Sequence, residues 1–237
     1  KAFLEDDQGN LWIGTWNGLN KLSADRKSIK SYRQVEDGNG LNNEHVISLH
    51  MDSNGILYIG TFGGGLNIMD SQSETFSALT EKDGLSNNTI FGILEDEKQN
   101  LWLSTNKGLS RFNKEEQSFR VYDASEGLQG NEFYWGGAVK NRDGSLMFGG
   151  VNGFNLFHPS KIKDNEIVPP VVISDFLVFN IPAGIGQDSL LDKSIGFTQH
   201  VELSHKESIF SFNFSALNFN YPEKNQYSYI LEGFEDK

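Results

Sequence analysis

The amino-acid sequence predicts an all-β protein whose larger part is a partial β-propeller of about four four-stranded blades. A ten-residue motif that begins at Leu11, LWIGTWNGLN, recurs in variant form from Leu57, Leu101 and Leu146. The intervals between these leucines are 46, 44 and 45 residues, a regularity typical of stacked structural repeats. Within each interval, short runs of alternating apolar and polar residues are separated by Gly-rich turns. This pattern predicts antiparallel strands, about four to a blade.

The second interval shows the four predicted strands most clearly, over residues 46–51, 56–61, 65–69 and 75–79. A turn joins the first two of these strands at Asp52-Ser53-Asn54-Gly55. Asp, Ser and Asn side chains form hydrogen bonds with the local backbone, and Gly readily adopts a positive φ. The strands predicted for the other blades are 2–4, 11–13, 19–22 and 29–32; 90–94, 101–103, 109–112 and 119–122; and 137–139, 146–148 and 154–157. The last blade reaches His158-Pro159 with no obvious fourth strand.

A second element recurs between the blades and begins with Gly-Leu. Its copies are Gly40-Leu41-Asn42-Asn43, Gly84-Leu85-Ser86-Asn87-Asn88 and Gly127-Leu128-Gln129-Gly130-Asn131. We expect the leucine to fill the gap between neighbouring blades. We expect the asparagine to cap the loop backbone, since its side chain bonds readily to nearby main-chain groups.

Composition narrows the classes of partner. The chain has 237 residues and a net charge of −12, which argues against nucleic acid and against an anionic membrane surface. It contains no cysteine, so disulfides and cysteine-based zinc sites are excluded. No apolar run approaches the roughly 18 residues that cross a bilayer, and no signal peptide is recognisable. Because the sequence opens inside a repeat, we expect it to be a fragment of a longer protein.

The sequence predicts no catalytic residue, no metal site and no cofactor in this chain. The five histidines lack a helical i, i+4 partner, and neither G-x-S-x-G nor a phosphate-binding loop occurs. Acidic turns do recur, but a glycosidase needs two carboxylates that face one sugar. These acids instead fall once in each blade, which is typical of a structural hairpin. The turns lie at 5–10, 52–55, 95–100 and 141–144.

The repeat resembles a known family. LWIGTWNGLNKL, together with the Asp83-Gly84-Leu85 type of loop, is similar to the regulator-propeller repeat of bacterial two-component sensors. Three blades match closely, and LMFGGVNGFNLFHP is similar to the last repeat of such an array. In that family the array continues into an immunoglobulin-like module named for three tyrosines. The stretch from Tyr221 to Gly233 resembles its Y-x-Y-x-L-x-G signature, although the chain has fewer blades than the family array and stops before the module should finish.

The resemblance implies a domain organisation and a function. Residues 1–160 would be propeller blades, 161–170 a linker, and 171–237 the first part of a truncated immunoglobulin-like β-sandwich. The chain would be the ligand-sensing, signal-transmitting periplasmic region of a hybrid two-component system of the Bacteroides type. Its parent would be an inner-membrane histidine kinase that detects oligosaccharides derived from glycans. Two alternatives stay open: a glycan-active propeller enzyme, either a lyase or a hydrolase, and a protein-binding propeller scaffold.

Propeller geometry indicates where a ligand would bind. The loop from the second to the third strand and the loop between blades open on one face, and here that face is rich in Asn and aromatic residues. Amides read sugar hydroxyls, and flat rings pack on pyranose faces. The predicted ligand-binding residues are Trp16, Asn17, Asn43, His45, Phe62, Asn88, Asn106, Lys107, Asn131, Tyr134, Trp135 and Asn152.

Several of these residues also have a structural interpretation. Trp16 could fill the gap between blades, and Phe62 could pack against glycine. Tyr134 or Trp135 could lie in the core, and Lys107 could be a solvated charge.

An incomplete ring of blades also predicts self-association. Four blades leave two open sides, and exposed strand edges pair with other chains. We therefore expect edge-to-edge association, with a dimer as the expected product.

Overall fold

The computed structural model describes residues 1–35, 39–163, 169–187, 189–218, 222, 225 and 227–233. These residues form β-strands and four short 3-10 turns (Glu81–Asp83, Ala124–Glu126, Pro159–Lys161 and Ile195–Phe197), so the predicted all-β class is confirmed. The chain divides into two compact units, Lys1–Lys163 and Asp164–Lys237, and each is described by itself. Part of the predicted linker and Tyr221 of the tyrosine signature lie outside the described residues.

The first unit contains four blades, each an antiparallel sheet whose strands follow one another in chain order. Blade one comprises β1 (Ala2–Glu5), β2 (Leu11–Thr15), β3 (Gly18–Leu22) and β4 (Ile29–Tyr32). Blade two comprises β5 (Val46–Met51), β6 (Ile56–Thr61), β7 (Leu66–Asp70) and β8 (Phe76–Leu79). Blade three comprises β9 (Ile90–Glu95), β10 (Leu101–Thr105), β11 (Gly108–Asn113) and β12 (Ser118–Tyr122). Blade four has β13 (Phe133–Lys140), β14 (Leu146–Gly150) and β15 (Gly153–Phe157), and no fourth strand within the described residues.

The hydrophobic core lies between the blades. The first strands β1, β5, β9 and β13 pack against one another in sequence. Between blades one and two, the buried Trp12 and Leu19 pack with Leu57 and Ile59. Comparable clusters join blade two to blade three and blade three to blade four. Since burial of such a side chain contributes roughly 1.5–3 kcal/mol, it is packing between blades that stabilises each short sheet.

The recurring Gly-Leu loop behaves as the sequence predicted. Leu41 and Leu85 are buried, and Leu128 packs at the margin of the third core cluster. The side-chain oxygen of Asn88 accepts a hydrogen bond from the Glu81 backbone nitrogen at 2.9 Å. Asn131 caps the corresponding turn before blade four, with Ala124 as donor. The leucines therefore fill the gaps and the asparagines cap the loops.

The second unit contains one antiparallel sheet in the order β17 (Ile181–Pro182), β16 (Val171–Val178) and β18 (Phe210–Ala216). Phe176 is buried with Leu191 and Ile195. The ring of Tyr227, from the tyrosine signature, lies 5.2 Å from that of Phe214. The described residues of this second unit form a single sheet, so the immunoglobulin-like sandwich remains a prediction.

Candidate functional site

The turn between β2 and β3 is held from its inner side, which leaves its outer residues free to vary. Thr15 Oγ1 accepts a hydrogen bond from the Asn17 backbone nitrogen at 3.0 Å and donates to the Gly18 carbonyl at 2.9 Å. Gly18 has a φ of 91°, in the left-handed region, and its N–H donates to the Glu44 carbonyl of the next interblade loop at 2.7 Å. Trp16 is thereby carried outward, with 43% of its surface exposed.

The same turn recurs in blades two and three. Thr105 Oγ1 accepts from the Lys107 nitrogen and donates to the Gly108 carbonyl, both at 2.9 Å. The Gly108 N–H donates to the Asn131 carbonyl at 2.6 Å. Thr61 makes the corresponding bonds in blade two. The threonine that ends the second strand in blades one, two and three therefore helps to present the variable turn residues.

Blade four achieves the same geometry with a different side chain. Gly150 replaces the threonine, and the Gln129 amide oxygen accepts from the Asn152 nitrogen at 2.7 Å. A side chain at position 150 would collide with that amide, which explains the glycine. The Val151 nitrogen donates to the Glu132 carbonyl at 3.2 Å, so this turn is also tied to the interblade loop.

Four rings meet on this side of the molecule, one each from blades one, two and four and one from the loop that precedes blade two. Trp16 lies at the centre, with ring centroids of His45, Phe62 and Trp135 at 5.0, 5.9 and 6.0 Å. All three contacts are edge-to-face, the arrangement that the ring quadrupoles favour. Phe62 and Trp135 remain partly exposed like Trp16. We call these four residues the aromatic face.

A bulge in β13 explains how Trp135 reaches the aromatic face. The pairing of β13 with β14 shifts between Phe133 and Ala138, and Gly136 has a φ of 74° within the shift. Phe133 is buried, whereas Tyr134 and Trp135 are 60% and 39% exposed. The interpretation that one of these two lies in the core is therefore wrong. Tyr134 takes no part in the ring contacts among the described residues.

A cation lies over the aromatic face. The Lys1 side-chain nitrogen is 4.3 Å from the Trp135 ring centroid and 5.1 Å from that of Trp16. Both distances fall within the range of cation–π attraction. Sequence reasoning missed Lys1, because the two tryptophans that hold it come from blades one and four.

The amide residues predicted for this face fall into two groups. Asn43, Asn88 and Asn131 use their side-chain oxygens to bond loop backbone. The other predicted polar residues are exposed at the tips of the turns, and their side chains make no hydrogen bond to the described residues: they are Asn17, Asn106, Lys107 and Asn152. The structure thus gathers Trp16, His45, Phe62 and Trp135, and it leaves the polar residues exposed at the tips of the turns that follow the second strands.

The acidic turns lie at the opposite end of each blade. Their aspartates accept hydrogen bonds from groups within the same hairpin. Asp6 accepts hydrogen bonds from the Asn10 backbone at 2.8 Å and from the Trp12 indole nitrogen at 2.9 Å. Burial raises the pKa of Asp6, but hydrogen bonds from Asn10 and Trp12 outweigh it and hold the pKa below its ordinary value. Asp96 bonds the indole of Trp102 in the same way, at 3.0 Å. These carboxylates fix the turn and orient the buried tryptophan.

A network of charged and polar side chains joins blade two to blade three on this side. Lys114 Nζ lies 3.0 Å from an Asp52 oxygen and 2.6 Å from a Glu95 oxygen. The other Glu95 oxygen lies 3.1 Å from His50 Nε2, and Tyr58 donates to Asp52 at 3.3 Å. Sequence reasoning missed this network, because its members come from separate hairpins and share no local pattern.

Burial and pairing have opposite effects within the network. Burial lowers the pKa of Lys114, but bonds to Glu95 and Asp52 outweigh it and raise the pKa above its ordinary value. Burial also lowers the pKa of His50, and the hydrogen bond with Glu95 offsets this only in part. The lysine therefore carries the positive charge that holds the two carboxylates together, and a neutral imidazole adds to the network.

A cleft of about 630 Å³ opens on the acidic-turn side, lined by residues that include Asp7, Lys21 and Asn54. Across the described residues, no group of three or more His, Asp or Glu side chains is arranged to hold a metal ion. The described part of the chain also contains no helix that is long and apolar enough to span a membrane.

Comparison with known proteins identifies the repeat. A family model described as "Two component regulator propeller" matches residues 1–17, 40–63 and 84–107. Over 236 residues the chain is 30% identical to Histidine kinase P4 of Formosa agariphila, an alignment that covers 98% of this chain and 17% of the relative. The chain therefore spans about a sixth of that relative's length.

Two solved structures share the fold. The extracellular domain of a one component system from B. thetaiotaomicron has a TM-score of 0.53 and 17% identity, covering 90% of this chain and 39% of that one. PorZ, a surface component of the type-IX secretion system of Porphyromonas gingivalis, has a TM-score of 0.53 and 20% identity, covering 72% and 26%. Similarity at this level shows the fold alone.

The limits of the matched repeats coincide with features of the structure. Two of the three matches begin at the Gly-Leu interblade loop, at residues 40 and 84. All three end in the variable turn after the second strand, at residues 17, 63 and 107. The repeating sequence unit therefore starts between two blades and ends on the side that carries the aromatic face.

Proposed function

The chain carries repeats of the two component regulator propeller family, and from this premise we propose that it is part of the extracytoplasmic sensor region of a two-component histidine kinase. The family match and the identity to a histidine kinase support this assignment. The similarity in fold to a bacterial extracellular domain supports a location outside the cytoplasm. In this proposal the parent protein is anchored in the inner membrane, and the chain faces the periplasm.

The ligand in this proposal is an oligosaccharide released from a glycan, and it binds the aromatic face. The observation that carries the proposal is the partly exposed cluster of Trp16, His45, Phe62 and Trp135. Large rings gathered at a surface mark an interaction site, because water contacts apolar area that a partner would cover. The C–H faces of a pyranose ring provide such a partner.

Polar groups around the cluster supply the second part of a sugar site. The exposed turn-tip residues Asn17, Asn106 and Asn152 present amide donors and acceptors that suit paired hydroxyl groups. Lys107 and Lys1 add ammonium donors on the same side of the blades. A small number of polar groups around an apolar surface is the usual composition of a small-molecule site, and it would fix the orientation of a stacked sugar.

Titration calorimetry with a panel of oligosaccharides tests the proposal directly. We expect Trp16→Ala and Trp135→Ala each to weaken binding of the responsive oligosaccharide by about tenfold. Loss of one ring contact costs up to about 1.5 kcal/mol of binding free energy, in addition to the apolar area that is no longer buried. Phe197→Ala is the matched control, because Phe197 is an exposed ring in the second unit and should leave affinity unchanged.

The same samples distinguish sensing from catalysis. Product analysis of each oligosaccharide after prolonged incubation should recover it intact. Cleavage would replace the proposed function with that of a glycan-active enzyme. Binding that survives both tryptophan substitutions would remove the aromatic face from the proposal.

A further inference from the structure

Lys1 places a positive charge beside the aromatic face. Its main-chain nitrogen donates to the Gly14 carbonyl at 2.8 Å, where Ala2 pairs with Gly14 in the first sheet. Its side-chain nitrogen lies 4.3 Å from the ring centroid of Trp135 and 5.1 Å from that of Trp16. The residue is thus held at both ends, and its ammonium group lies between a ring of blade one and a ring of blade four.

The ammonium group has no anionic partner in the described part of the chain. Lys1 Nζ makes neither a hydrogen bond nor an ion pair with the described residues, and its contacts there are with the two rings. Other cations of the blades are paired, as Arg26 is with Glu5 and Lys114 with Asp52. Lys1 differs from these, because rings position its charge and its N–H donors remain available to a ligand.

This arrangement determines the sign of the charge that a ligand can bring. The faces of aromatic rings attract cations, and the ammonium group of Lys1 already lies over Trp135. A cationic ligand would therefore find that position filled and would meet a like charge. A carboxylate would instead accept a hydrogen bond from the ammonium group, and hydrogen bonds between charged groups are stronger than those between neutral groups.

The surroundings limit how much negative charge a ligand can bring. Glu44 precedes His45 in one interblade loop, and Glu132 lies shortly before Trp135 in another. The whole chain has a net charge of −12, so a densely sulfated oligosaccharide would be repelled. A single carboxylate in direct contact with Lys1 avoids most of this repulsion, because salt screens exposed charges that lie farther apart.

We propose that the aromatic face selects an acidic oligosaccharide, and that Lys1 binds the carboxylate of a uronic acid whose ring packs on Trp16. This inference rests on the proposed function, because it assigns the class of sugar to the same site. Trp16 is 43% and Phe62 47% exposed, so apolar area for the sugar ring remains beside the lysine. An ammonium group 5.1 Å from the centre of the Trp16 ring can reach a carboxylate at the rim of that sugar.

Titration calorimetry with uronic acids and their methyl esters tests the inference. The probes are trisaccharides of glucuronate, galacturonate or mannuronate, each with its fully methyl-esterified form, because the ester keeps the sugar ring and removes the charge. At least one acid should bind about tenfold more tightly than its ester, as one hydrogen bond to a charged group predicts. Lys1→Met should abolish this preference by weakening binding of the acid alone, and Lys1→Arg should retain it.

Two further variants separate the charge from the rings. Lys98→Met is the matched control, because Lys98 is an exposed lysine in the acidic turn of blade three and should leave both affinities unchanged. Trp16→Ala should weaken binding of acid and ester alike, since packing on the ring does not depend on the charge. Circular dichroism verifies that each variant is folded.

The outcomes distinguish this inference from the proposed function. Equal binding of acid and ester, with both weakened by Trp16→Ala, would overturn the inference and leave the sugar site in place. A preference for the acid that survives Lys1→Met would also overturn it, as would binding of neutral or sulfated trisaccharides alone. Failure of every oligosaccharide to bind would overturn both proposals.

Discussion

Replacing Lys114 with methionine would remove the cation that joins blade two to blade three. The lysine bridges Asp52 and Glu95, and the exposed fractions of the three side chains are 15%, 3% and 20%. Methionine retains most of the length of the side chain, so the change isolates the charge. Two carboxylates would then lie close together, with Tyr58 and His50 as their remaining side-chain partners.

The partial burial of these side chains limits the unfolding free energy that Lys114→Met can remove. Removal of one partner from a fully buried pair costs about 3–5 kcal/mol. Partial exposure of Glu95 and the remaining hydrogen bonds reduce the expected loss to about 2–3 kcal/mol of unfolding free energy. For a protein of this size, such a loss lowers the midpoint of thermal unfolding by roughly 4–12 °C.

The assay can be confined to the blades. All four tryptophans lie within residues 1–163, so their fluorescence reports unfolding of the first unit. Lys107→Met is the matched control, since this exposed lysine should change stability by no more than about 0.5 kcal/mol. A double-mutant cycle with Glu95→Gln should give a coupling energy of at least about 1 kcal/mol. The reasoning would be refuted if Lys114→Met destabilised the protein no more than Lys107→Met does. It would also be refuted if the losses of unfolding free energy from Lys114→Met and Glu95→Gln were additive.

The effect of Lys114→Met should depend on pH in a defined direction. Burial raises the pKa of Asp52, but hydrogen bonds from Lys114 and the backbone outweigh it and lower the pKa in the folded protein. A lowered pKa contributes stability above the unfolded value, and that contribution is lost as pH falls through the folded value. The difference between wild type and variant should therefore be largest near neutrality and shrink below about pH 4.

Three further predictions use the same fluorescence assay. Gly108→Ala should cost several-fold more stability than Gly127→Ala: both glycines have positive φ, but a side chain at 108 meets a backbone carbonyl of β12 and one at 127 meets nothing. Trp102→Phe should cost about 1–3 kcal/mol, because Asp96 loses its indole donor; an unchanged midpoint would contradict this role. Since burial lowers the pKa of His50, stability should fall as pH drops below about 6.5, and a pH titration of His50→Gln should lack that component.

Repetition made most of the fold predictable from one sequence. Each blade provides an independent copy of the strand pattern, and the Gly-Leu loops mark the junctions. The absence of a fourth strand in blade four was also visible, because His158-Pro159 ends the pattern there. The aromatic face could be predicted only as a set of positions. The contact between Trp16 and Trp135 depends on how the blades curve round, and no local pattern encodes that curvature.

One further recurring feature is visible in the sequence: a polar residue near the start of each third strand. The second residue after the glycine at or just before the start of each third strand is polar in every blade. In blades two, three and four its side chain receives a backbone N–H from the preceding interblade loop: Asn67 accepts from Asn42 at 3.0 Å, Ser110 from Ser86 at 3.1 Å and Asn155 from Gln129 at 3.0 Å. A polar residue that recurs between apolar neighbours in a buried strand indicates a structural hydrogen bond, because an unpaired polar group would be costly there.

The turn after each second strand is held by bonds that do not involve the side chains of its two variable residues. Its bonds come from a threonine hydroxyl, a glycine in the left-handed region and a carbonyl of the next loop, so they use only the backbone of the variable residues. Trp16-Asn17 and Asn106-Lys107 consequently occupy equivalent turns although their side chains share no chemistry. In blade four, Gln129 takes the place of the threonine, and the turn still presents Asn152. A ligand site built on these tips can change its chemistry blade by blade, because the bonds that hold each turn remain the same.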